Sequence, residues 1–394
     1  MSVYLLLLLV VLLPQAAFSA SYDIETLGGR GDGKTDSSTA LEKAWELACN
    51  STSNSIIRIP RGRFLIARPL VFSGYHCALK KKDGAGIRFR IQGVLLAPAD
   101  YSVFRDSDTW FSFEGVTGVT VSGGALDAQG RTLWACKASK GRCPLGVTTM
   151  AFTNSKEIRI SGVTSLNSQL YHIVINGCKD VMLEGLQIFA AGDSPNTDGI
   201  HVQLSDTITI VDSKIGTGDD CVSVGPGTTN LSIDRVICGP GHGISIGSLA
   251  KVEAEPGVQG VTVKNTVFYG TQNGVRIKSW GRPSSAFVKD VLFQHLTMID
   301  VQNPIIIDQN YCPSNIGCPG HESGVKISDV MYQDIHGTSA TEVAVKLDCS
   351  PKSKCTGIKM KDVKLTYMNH QDALSSCVNA VVSLSGVNHP TACL

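Results

Sequence analysis

Short segments in which apolar and polar residues alternate recur at intervals through most of the chain. Gly, Asn, Asp and Ser residues lie between them, as is typical of turns. Alternation with a period of two indicates β-strands that bury one face. A first series of these segments lies at 119–121, 158–160, 181–183, 208–210, 231–233, 261–263, 291–293, 325–327 and 358–360.

A second series of apolar positions lies between the members of the first, and from Ile158 onward the two share a repeat of roughly 23 to 34 residues. Leucine-rich repeats would need an asparagine ladder and recurring leucines, which this chain lacks. A sandwich would not place equivalent strands once per period. We therefore predict an all-β fold, a single-stranded right-handed parallel β-helix. The second series consists of Ile173, Ile200, Val222, Ile244, Val275, Ile305 and Val343.

The first coil of such a solenoid exposes its apolar interior and needs a cap. Residues 36–49 predict a short N-terminal capping helix, because Leu41, Ala44, Trp45 and Ala48 form an i, i+3, i+4, i+7 stripe. Asp36 or Ser37 is the expected N-cap. No linker composition interrupts the rest, so residues 21–394 are predicted to form one parallel β-helix catalytic domain.

The apolar run at residues 5–13 is too short to span a bilayer and precedes Pro and small residues. These features indicate a secretory signal peptide over residues 1–20, although its first residues lack the usual Lys or Arg. We expect cleavage between Ser19 and Ser21 and no membrane association afterwards. The two sequons begin at Asn50 and Asn230 and can be glycosylated only if they are exposed.

Thirteen cysteines after a signal peptide indicate an oxidised, extracellular protein. The sequence contains no CxxC spacing, so we expect no zinc site. With an odd count, Cys178 is the expected free thiol. The candidate disulfides are Cys136–Cys143, Cys221–Cys238, Cys312–Cys318, Cys349–Cys355, Cys377–Cys393 and, less clearly defined by spacing, Cys49–Cys77.

The formal net charge is only +1, so no global field recruits nucleic acid or a membrane surface. Residues 28–35 fit the phosphate-loop pattern GxxxxGK[ST], but the chain lacks the alternating strands and helices that such a loop requires. We interpret these residues as a glycine-rich turn before the capping helix. We expect no nucleic-acid partner and a monomer.

Polar side chains precede four consecutive members of the second strand series. Asp198, Asp220, His242 and Asn273 each lie two positions before a strand, and Asp219 adjoins Asp220. Stacked coils are about 4.8 Å apart. Two ionised carboxylates about 5 Å apart repel by about 3 kcal/mol at an effective dielectric of 20, or about two pKa units. We therefore expect one carboxyl to stay protonated beside ionised neighbours, as glycosidic cleavage requires.

Arg276 and Lys278 alternate on the next strand, so both side chains point to the same side. Together they can bind a substrate carboxylate, with the arginine binding in a bidentate manner. Tyr311 lies one coil further along and can form one boundary of the same site. Turn capping or a calcium site are alternatives for the acids, but the histidine and the two cations do not suit calcium.

These residues resemble the polygalacturonases, members of glycoside hydrolase family 28, over essentially the whole mature chain. The four motifs that carry the resemblance are Asn-Thr-Asp at 196–198, Gly-Asp-Asp at 218–220, Gly-His-Gly at 241–243 and Arg-Ile-Lys at 276–278. The sequence around the first two motifs resembles the plant branch, and the plant pollen-type exopolygalacturonases in particular. The resemblance implies a right-handed parallel β-helix.

The resemblance also implies a role for each residue. Asp219 would be the general acid, Asp198 and Asp220 would activate water, and His242 would maintain the protonation of the acids. The substrate-binding residues would be Arg276, Lys278 and Tyr311.

The expected activity is cofactor-free and metal-free hydrolysis of α-1,4-galacturonosyl linkages in pectin by a secreted enzyme of the cell wall. The resemblance implies inversion at the anomeric carbon. However, two carboxyls one coil apart lie closer together than the two carboxyls of an inverting enzyme usually do. An exo-acting mode follows from the branch resemblance. The alternatives are a calcium-dependent pectate lyase and a non-catalytic pectin-binding wall protein.

Overall fold

A parallel β-helix of stacked coils runs through this computed structural model, which describes residues 20–77, 86–368, 371–391 and 393. The predicted signal peptide, apart from Ala20, lies outside the described residues. In the described residues, no helix is long and apolar enough to cross a membrane.

The described residues form strands and short helices, whose bounds follow in chain order. The strands are β1 (Ala20–Asp23), β2 (Asp32–Asp36), β3 (Ser55–Ile59), β4 (Arg63–Leu65), β5 (Leu70–Ser73), β6 (Ile87–Ile91), β7 (Val94–Leu96), β8 (Thr109–Glu114), β9 (Val119–Ser122), β10 (Ala125–Asp127), β11 (Thr148–Thr153), β12 (Lys156–Ser161), β13 (Thr164–Leu166), β14 (Ile173–Asn176), β15 (Lys179–Glu184), β16 (Gln187–Phe189), β17 (Ile200–Gln203), β18 (Asp206–Val211), β19 (Lys214–Gly216), β20 (Val222–Val224), β21 (Thr229–Asp234), β22 (Ile237–Cys238), β23 (Ile244–Leu249), β24 (Val258–Tyr269), β25 (Asn273–Trp280), β26 (Phe287–Val301), β27 (Asn303–Tyr311), β28 (Lys326–Ser339), β29 (Val343–Asp348), β30 (Cys355–Tyr367), β31 (Gln371–Asp372), β32 (Leu374–Val378) and β33 (Ala380–Ser385). The helices are α1 (Ser38–Asn50), α2 (Arg131–Ala138) and the 3₁₀ turns Tyr101–Phe104 and Pro313–Asn315.

Three parallel columns of strands make up the coils. The front sheet stacks β5, β8, β11, β14, β17, β20, β23, β25, β27, β29 and β32 in chain order. Behind it, one column runs from β1 through β12 and β21 to β33, and a column of short strands runs from β2 through β10 to β22. The last two columns merge in the long strands that begin with β24. Inward Val, Ile and Leu side chains of every coil fill the bore and are buried.

The predicted right-handed parallel β-helix is confirmed. Both alternating series correspond to strand columns, but the third column was not predicted. Its members are as short as the two residues of Ile237–Cys238 and the three residues of Thr164–Leu166, and strands of this length show too little alternation to be recognised. Helix α2 was also not predicted.

Helix α1 caps the first coils, as predicted. It begins at Ser38, directly after one of the two predicted N-cap positions, and buries Leu41, Ala44, Trp45 and Ala48. Ser37 is the N-cap residue but makes no side-chain cap. The carboxylate of Asp36 instead accepts the Ser38 amide at 2.9 Å, so the preceding acid satisfies the first turn.

All six predicted disulfides are present: Cys49–Cys77, Cys136–Cys143, Cys221–Cys238, Cys312–Cys318, Cys349–Cys355 and Cys377–Cys393. Cys178 is free and buried, also as predicted. Both sequon asparagines, Asn50 and Asn230, are exposed.

Residues 28–31 of the phosphate-loop pattern form a turn, and residues 32–35 already belong to strand β2. The carboxylate of Asp32 accepts hydrogen bonds from the backbone amides of Lys34 and Thr35 and from the Thr35 hydroxyl. An acidic side chain therefore occupies the amides that a phosphate would need, and Lys34 lies in an exposed strand rather than at a helix N-terminus.

Candidate active site

The turns that precede strands β17, β20, β23 and β25 bring distant parts of the sequence together on the front sheet. Ile200 pairs with Val222, Val222 with Ile244, and Ile244 with Val275. The register therefore places Asp198, Asp220, His242 and Asn273 at equivalent positions of successive coils, each two residues before its strand. Backbone pairing continues through these turns, since the Gly199 amide donates to the Asp220 carbonyl at 2.9 Å.

One open cleft on this sheet is lined by five of the seven predicted site residues, namely Asp198, Asp219, Asp220, Lys278 and Tyr311. Its volume of about 150 Å³ is below the range of about 300–1,000 Å³ that is usual for enclosed ligand pockets. The cleft is therefore a shallow groove that can hold part of a longer molecule.

The other two predicted residues support the acids of the cleft. His242 Nδ1 lies 3.0 Å from Asp219 Oδ1, and its backbone amide donates to the Asp219 carbonyl. Arg276 contacts Asp220. The structure therefore brings all seven residues into one connected cluster.

Asp220 is bound by both predicted substrate-binding cations. Arg276 donates from an Nη to Oδ1 at 2.8 Å, and Lys278 donates from Nζ to Oδ2 at 2.9 Å. The Ser245 hydroxyl also donates to Oδ1, at 2.8 Å. The prediction that Arg276 and Lys278 point to the same side holds, but their contacts in this structure are to a carboxylate of the protein itself.

This ion cluster determines the charge of Asp220. Burial alone would raise the pKa of its carboxyl, because the charged form loses its hydration. The Lys278 ammonium and the Arg276 guanidinium outweigh burial and hold the pKa below its ordinary value. Asp220 is therefore a permanently ionised carboxylate at neutral pH.

Asp198 has the opposite electrostatic environment, although it occupies the equivalent position one coil earlier. Burial raises the pKa of Asp198 well above its ordinary value, and the negative charges of Asp219 and Asp220 raise it further. A hydrogen bond with Ser223 and the more distant Lys278 charge oppose this only in part. The raised pKa of Asp198 beside the lowered pKa of Asp220 agrees with the expectation that the acids of this column differ in protonation.

Asp219 lies at the solvent side of the cluster. Its side chain is 18% exposed, whereas that of Asp220 is 1% exposed. Asp219 Oδ1 accepts the Asp220 amide at 2.8 Å, and its Oδ2 accepts from the Asn196 amide group at 3.3 Å. These contacts aim the carboxyl into the cleft, where a bound molecule can reach it.

The contacts of this cluster disfavour binding of a divalent cation. One side-chain atom each of Asp219, Asp220 and His242 lie within 4.8 Å of one another, close enough to surround an ion. However, both oxygens of Asp220 already accept from Arg276 and Lys278. A metal there would face two fixed positive charges and would have to displace them.

An aromatic pair lies beside the two cations. The Tyr311 ring lies 5.1 Å from the Lys278 ammonium and 5.8 Å from the Arg276 guanidinium. Trp280 packs edge-on against Tyr311 at 5.4 Å. The two cations are thereby held between a carboxylate and an aromatic face, which restricts their motion.

Several cleft residues were missed by the sequence analysis, notably Tyr171, His201, Gln203, Ser223 and Lys251. His201 and Ser223 form one outward column of the front sheet with Ser245 and Arg276. The signal was present, because each of them lies between two inward apolar residues of a predicted strand. Of this column, only Arg276 was a predicted site residue.

Residues 49–386 match the family model described as glycosyl hydrolases family 28. The chain belongs to glycosyl hydrolase family 28.

Two plant proteins are similar to this chain over most or all of its length. This chain is 56% identical to a polygalacturonase of Prunus persica, with 100% of this chain and 99% of the relative covered. It is 41% identical to an exopolygalacturonase of Platanus acerifolia, with 94% and 96% covered.

Solved structures support the family-28 fold. An exopolygalacturonase from Thermotoga maritima superposes with a TM-score of 0.77 over 94% of this chain and 92% of that one, at 16% identity. A polygalacturonase from Erwinia carotovora gives a TM-score of 0.71, with 94% and 98% covered, at 23% identity. At these identities the likeness extends to the fold alone.

Proposed function

We propose that this family-28 glycosyl hydrolase is a polygalacturonase that cleaves α-1,4-galacturonosyl linkages of pectin. The observation that carries the proposal is the convergence of Asp198, Asp219 and Asp220 in one open groove beside Lys278 and Tyr311. A groove suits a polymer, and the cations suit a sugar that bears a carboxylate. The full-length identity to a polygalacturonase supports the same substrate class.

Asp219 is the proposed proton donor to the glycosidic oxygen. It is the most solvent-facing of the three acids, and Asn196 and the Asp220 amide orient its carboxyl. As the proton donor, Asp219 must carry a proton when the bond breaks, and Asp198, whose pKa is raised, is the neighbouring acid that can supply it. His242, 3.0 Å from Asp219, stabilises the carboxylate that forms when the proton leaves.

Asp198 and Asp220 are the proposed acceptors for the proton of the attacking water. Asp220 remains ionised because Arg276 and Lys278 compensate its charge. Once its own proton has moved to Asp219, Asp198 is the stronger base, since its pKa is raised.

Arg276 and Lys278 can bind a galacturonate carboxylate without releasing Asp220. A lysine ammonium has three N–H donors and an arginine guanidinium has five. Lys278 uses one donor on Asp220, and Arg276 uses two, on Ser245 and Asp220. The remaining donors and the Tyr311 ring are the proposed substrate contacts.

We further propose that the enzyme is exo-acting, inverting and secreted to the cell wall. Exo action is supported by the identity of 40–41% to exopolygalacturonases. Secretion is supported by the six disulfides, which are typical of oxidising compartments. Inversion is proposed from the family resemblance. Proton NMR tests it directly by identifying the anomer of the first product.

The deciding experiment is product analysis on oligogalacturonates of defined length, without added metal. We expect galacturonate monomer from the first time points. Mixed oligomers from the start would replace the exo assignment with an endo one. Unsaturated products that absorb near 235 nm would indicate a lyase, and binding of pectin without any product would indicate the non-catalytic wall protein.

Asp219→Asn tests the catalytic assignment. The amide keeps the size of the side chain and its position beside Asn196, but it cannot donate a proton to the leaving group. We expect kcat to fall by about 10²–10⁴-fold, with little change in the melting temperature or in binding of oligogalacturonates. Asp193→Asn, at an exposed position outside the lining of the cleft, is the matched control and should retain activity. Retained turnover in Asp219→Asn would remove this residue from its role.

A further inference from the structure

A second hollow adjoins the cleft, beyond the C-terminal ends of strands β23 and β25. Its volume of about 440 Å³ lies within the range of about 300–1,000 Å³ that is usual for ligand pockets. Lys251 lines both the cleft and this hollow, so the two adjoin. None of the residues that line the hollow was predicted to belong to the site. The groove is therefore longer than the cleft that contains the three acids.

Hydrogen bonds hold together the loops that form the hollow. The buried carboxylate of Glu255 accepts the backbone amides of Ala250 and Lys251, which fixes the turn after β23. Arg282 donates from an Nη to the Lys251 carbonyl at 3.1 Å, and its own carbonyl accepts the Gly324 amide at 2.9 Å. The side chains of the hollow are thus carried by loops with defined positions, which lowers the entropy lost when a ligand binds.

The hollow carries an excess of positive charge. Its basic residues are Lys251, Arg282 and His321, and all three are exposed to solvent. Glu253 also lines the hollow and can compensate only one of the two permanent positive charges. The Arg282 guanidinium lies 5.3 Å from the Trp280 ring centroid. An arginine has five N–H donors, and the hydrogen bond to the Lys251 carbonyl uses one of them.

Acidic side chains occupy the other direction in which a bound chain could continue, along the stack of coils. Asp308 pairs with Lys278 in the register of the front sheet, and Asp348 pairs with Asp308 one coil further along. Burial raises the pKa of Asp308, and the charge of Asp348 raises it further. A polyanion that continued over these coils would bring its carboxylates against both acids. An anionic chain bound at Lys278 is therefore directed towards Lys251.

We propose that Lys251, Arg282 and His321 form a second carboxylate-binding subsite, which holds a galacturonate unit of the same polymer away from the cleaved linkage. This inference rests on the proposed function, because the polygalacturonate substrate supplies the second carboxylate. Arg282 binds that carboxylate in a bidentate manner, and Lys251 adds a point charge. His321 can donate an N–H in either protonation state. Pro283 and Pro319 line the hollow and provide apolar contact for the sugar ring.

The subsite makes affinity depend on the length of the substrate. We expect digalacturonate to occupy the cleft beside the acids and hexagalacturonate to extend into the hollow. Contacts that are equal in the ground state and the transition state change KM and leave kcat unchanged. The KM of the wild type should therefore fall as the oligogalacturonate lengthens, until the hollow is filled.

The test compares KM and kcat of variants on digalacturonate and hexagalacturonate. The double variant Arg282→Gln, His321→Gln should raise KM for the hexamer by about 3–10-fold, more than for the dimer, with kcat retained. Lys251 is left unchanged because it also lines the cleft. Arg282→Lys keeps the charge without the planar fork, and in the His321→Gln background it should restore part of the loss.

Lys359→Gln is the matched control, because it removes one positive charge at an exposed position outside the cleft and the hollow. It should leave KM unchanged for both substrates. An equal rise in KM for dimer and hexamer in the double variant, or a fall in kcat alone, would indicate a merely structural role and overturn the proposal.

Equilibrium binding separates this inference from the proposed function. In the Asp219→Asn background, calorimetric titration with digalacturonate and hexagalacturonate measures affinity without hydrolysis. We expect the hexamer to bind more tightly than the dimer, and Arg282→Gln to remove most of that difference. A hexamer that binds equally well with and without Arg282 would overturn the subsite even if the wild type hydrolyses pectin. A length effect that depends on Arg282, in a protein whose wild type yields no product, would retain the subsite while the proposed function fails.

Discussion

Asp198 and Asp220 occupy the same position of successive coils, yet their pKa values move in opposite directions. Ser223 of the next coil opposes the raised pKa of Asp198, and Ser245 of the next coil donates to Asp220. The serines are therefore equivalent, and the opposite pKa shifts come from the charged groups around each acid. Asp220 reaches Arg276 and Lys278, whereas Asp198 faces two other carboxyls. A step of one coil is enough to reverse the direction in which the pKa of a buried carboxyl moves.

Asp198→Asn should stabilise the protein at neutral pH. A carboxyl whose folded pKa is raised contributes stability that is fully present below its unfolded pKa, near 3.9, and is lost as the pH rises through the folded pKa. The amide cannot ionise, so the variant avoids this loss. The difference in melting temperature between variant and wild type should grow from pH 4 to pH 8, measured by calorimetry. A difference that is independent of pH would contradict the raised pKa.

The matched control for this prediction is Asp220→Asn, which should have the opposite sign. It leaves Arg276 and Lys278 buried without their carboxylate, and breaking a buried ion pair costs about 3–5 kcal/mol. If both variants shift the melting temperature in the same direction, the electrostatic distinction between the two acids is wrong.

At the scale of elements, the cap and the coils rely on different physics. A coil satisfies its backbone through the coils above and below it, but the first coil has no neighbour on one side. Helix α1 covers that end with one apolar face. Trp45 lies against the rings of Phe72 and Phe89 at 5.3 and 5.9 Å, so the cap is anchored by an aromatic cluster that spans several coils.

Trp45→Ala should therefore destabilise the protein by about 3–5 kcal/mol, through lost burial and the cavity left behind. Leu47→Ala on the exposed side of the same helix is the control and should change stability by less than about 0.5 kcal/mol. The free energy of unfolding from urea titration measures both. A small effect of Trp45→Ala would mean that the cap is dispensable for the stack.

At the scale of the whole molecule, stacking makes the chain a one-dimensional array in which contacts are mostly between neighbouring coils. The disulfides close short loops, with separations from 6 to 28 residues, so they hold turns and coil ends rather than joining distant parts of the stack. Cys178 remains inside the bore, where burial raises the pKa of its thiol.

A thiol titration tests this arrangement of cysteines. The native protein should react with no equivalent of a thiol reagent, because Cys178 is buried and its thiolate is disfavoured. In denaturant without reductant one thiol should react, and after reduction all thirteen. More than one thiol in the unreduced denatured protein would show that one of the six pairs is open.

The sequence by itself determined the solenoid, the capping stripe, the cysteine pairs and the column that contains Asp198, Asp220 and His242. These features depend on local alternation and on a repeat, and both can be read along the chain. Alternation could not reveal the third strand column, because its strands are too short. Periodicity shows on which coil and on which face of the sheet a side chain lies.

Only the tertiary structure decided which groups share hydrogen bonds and charge. Arg276 and Lys278 are 56 and 58 residues from Asp220 in sequence, and their contact depends on side-chain conformations two coils apart. The contacts of His201 with Gln203 and Ser223 likewise depend on which polar side chains meet on the surface of the sheet. Ionisation follows from burial and from distances between charges, which neither composition nor spacing specifies.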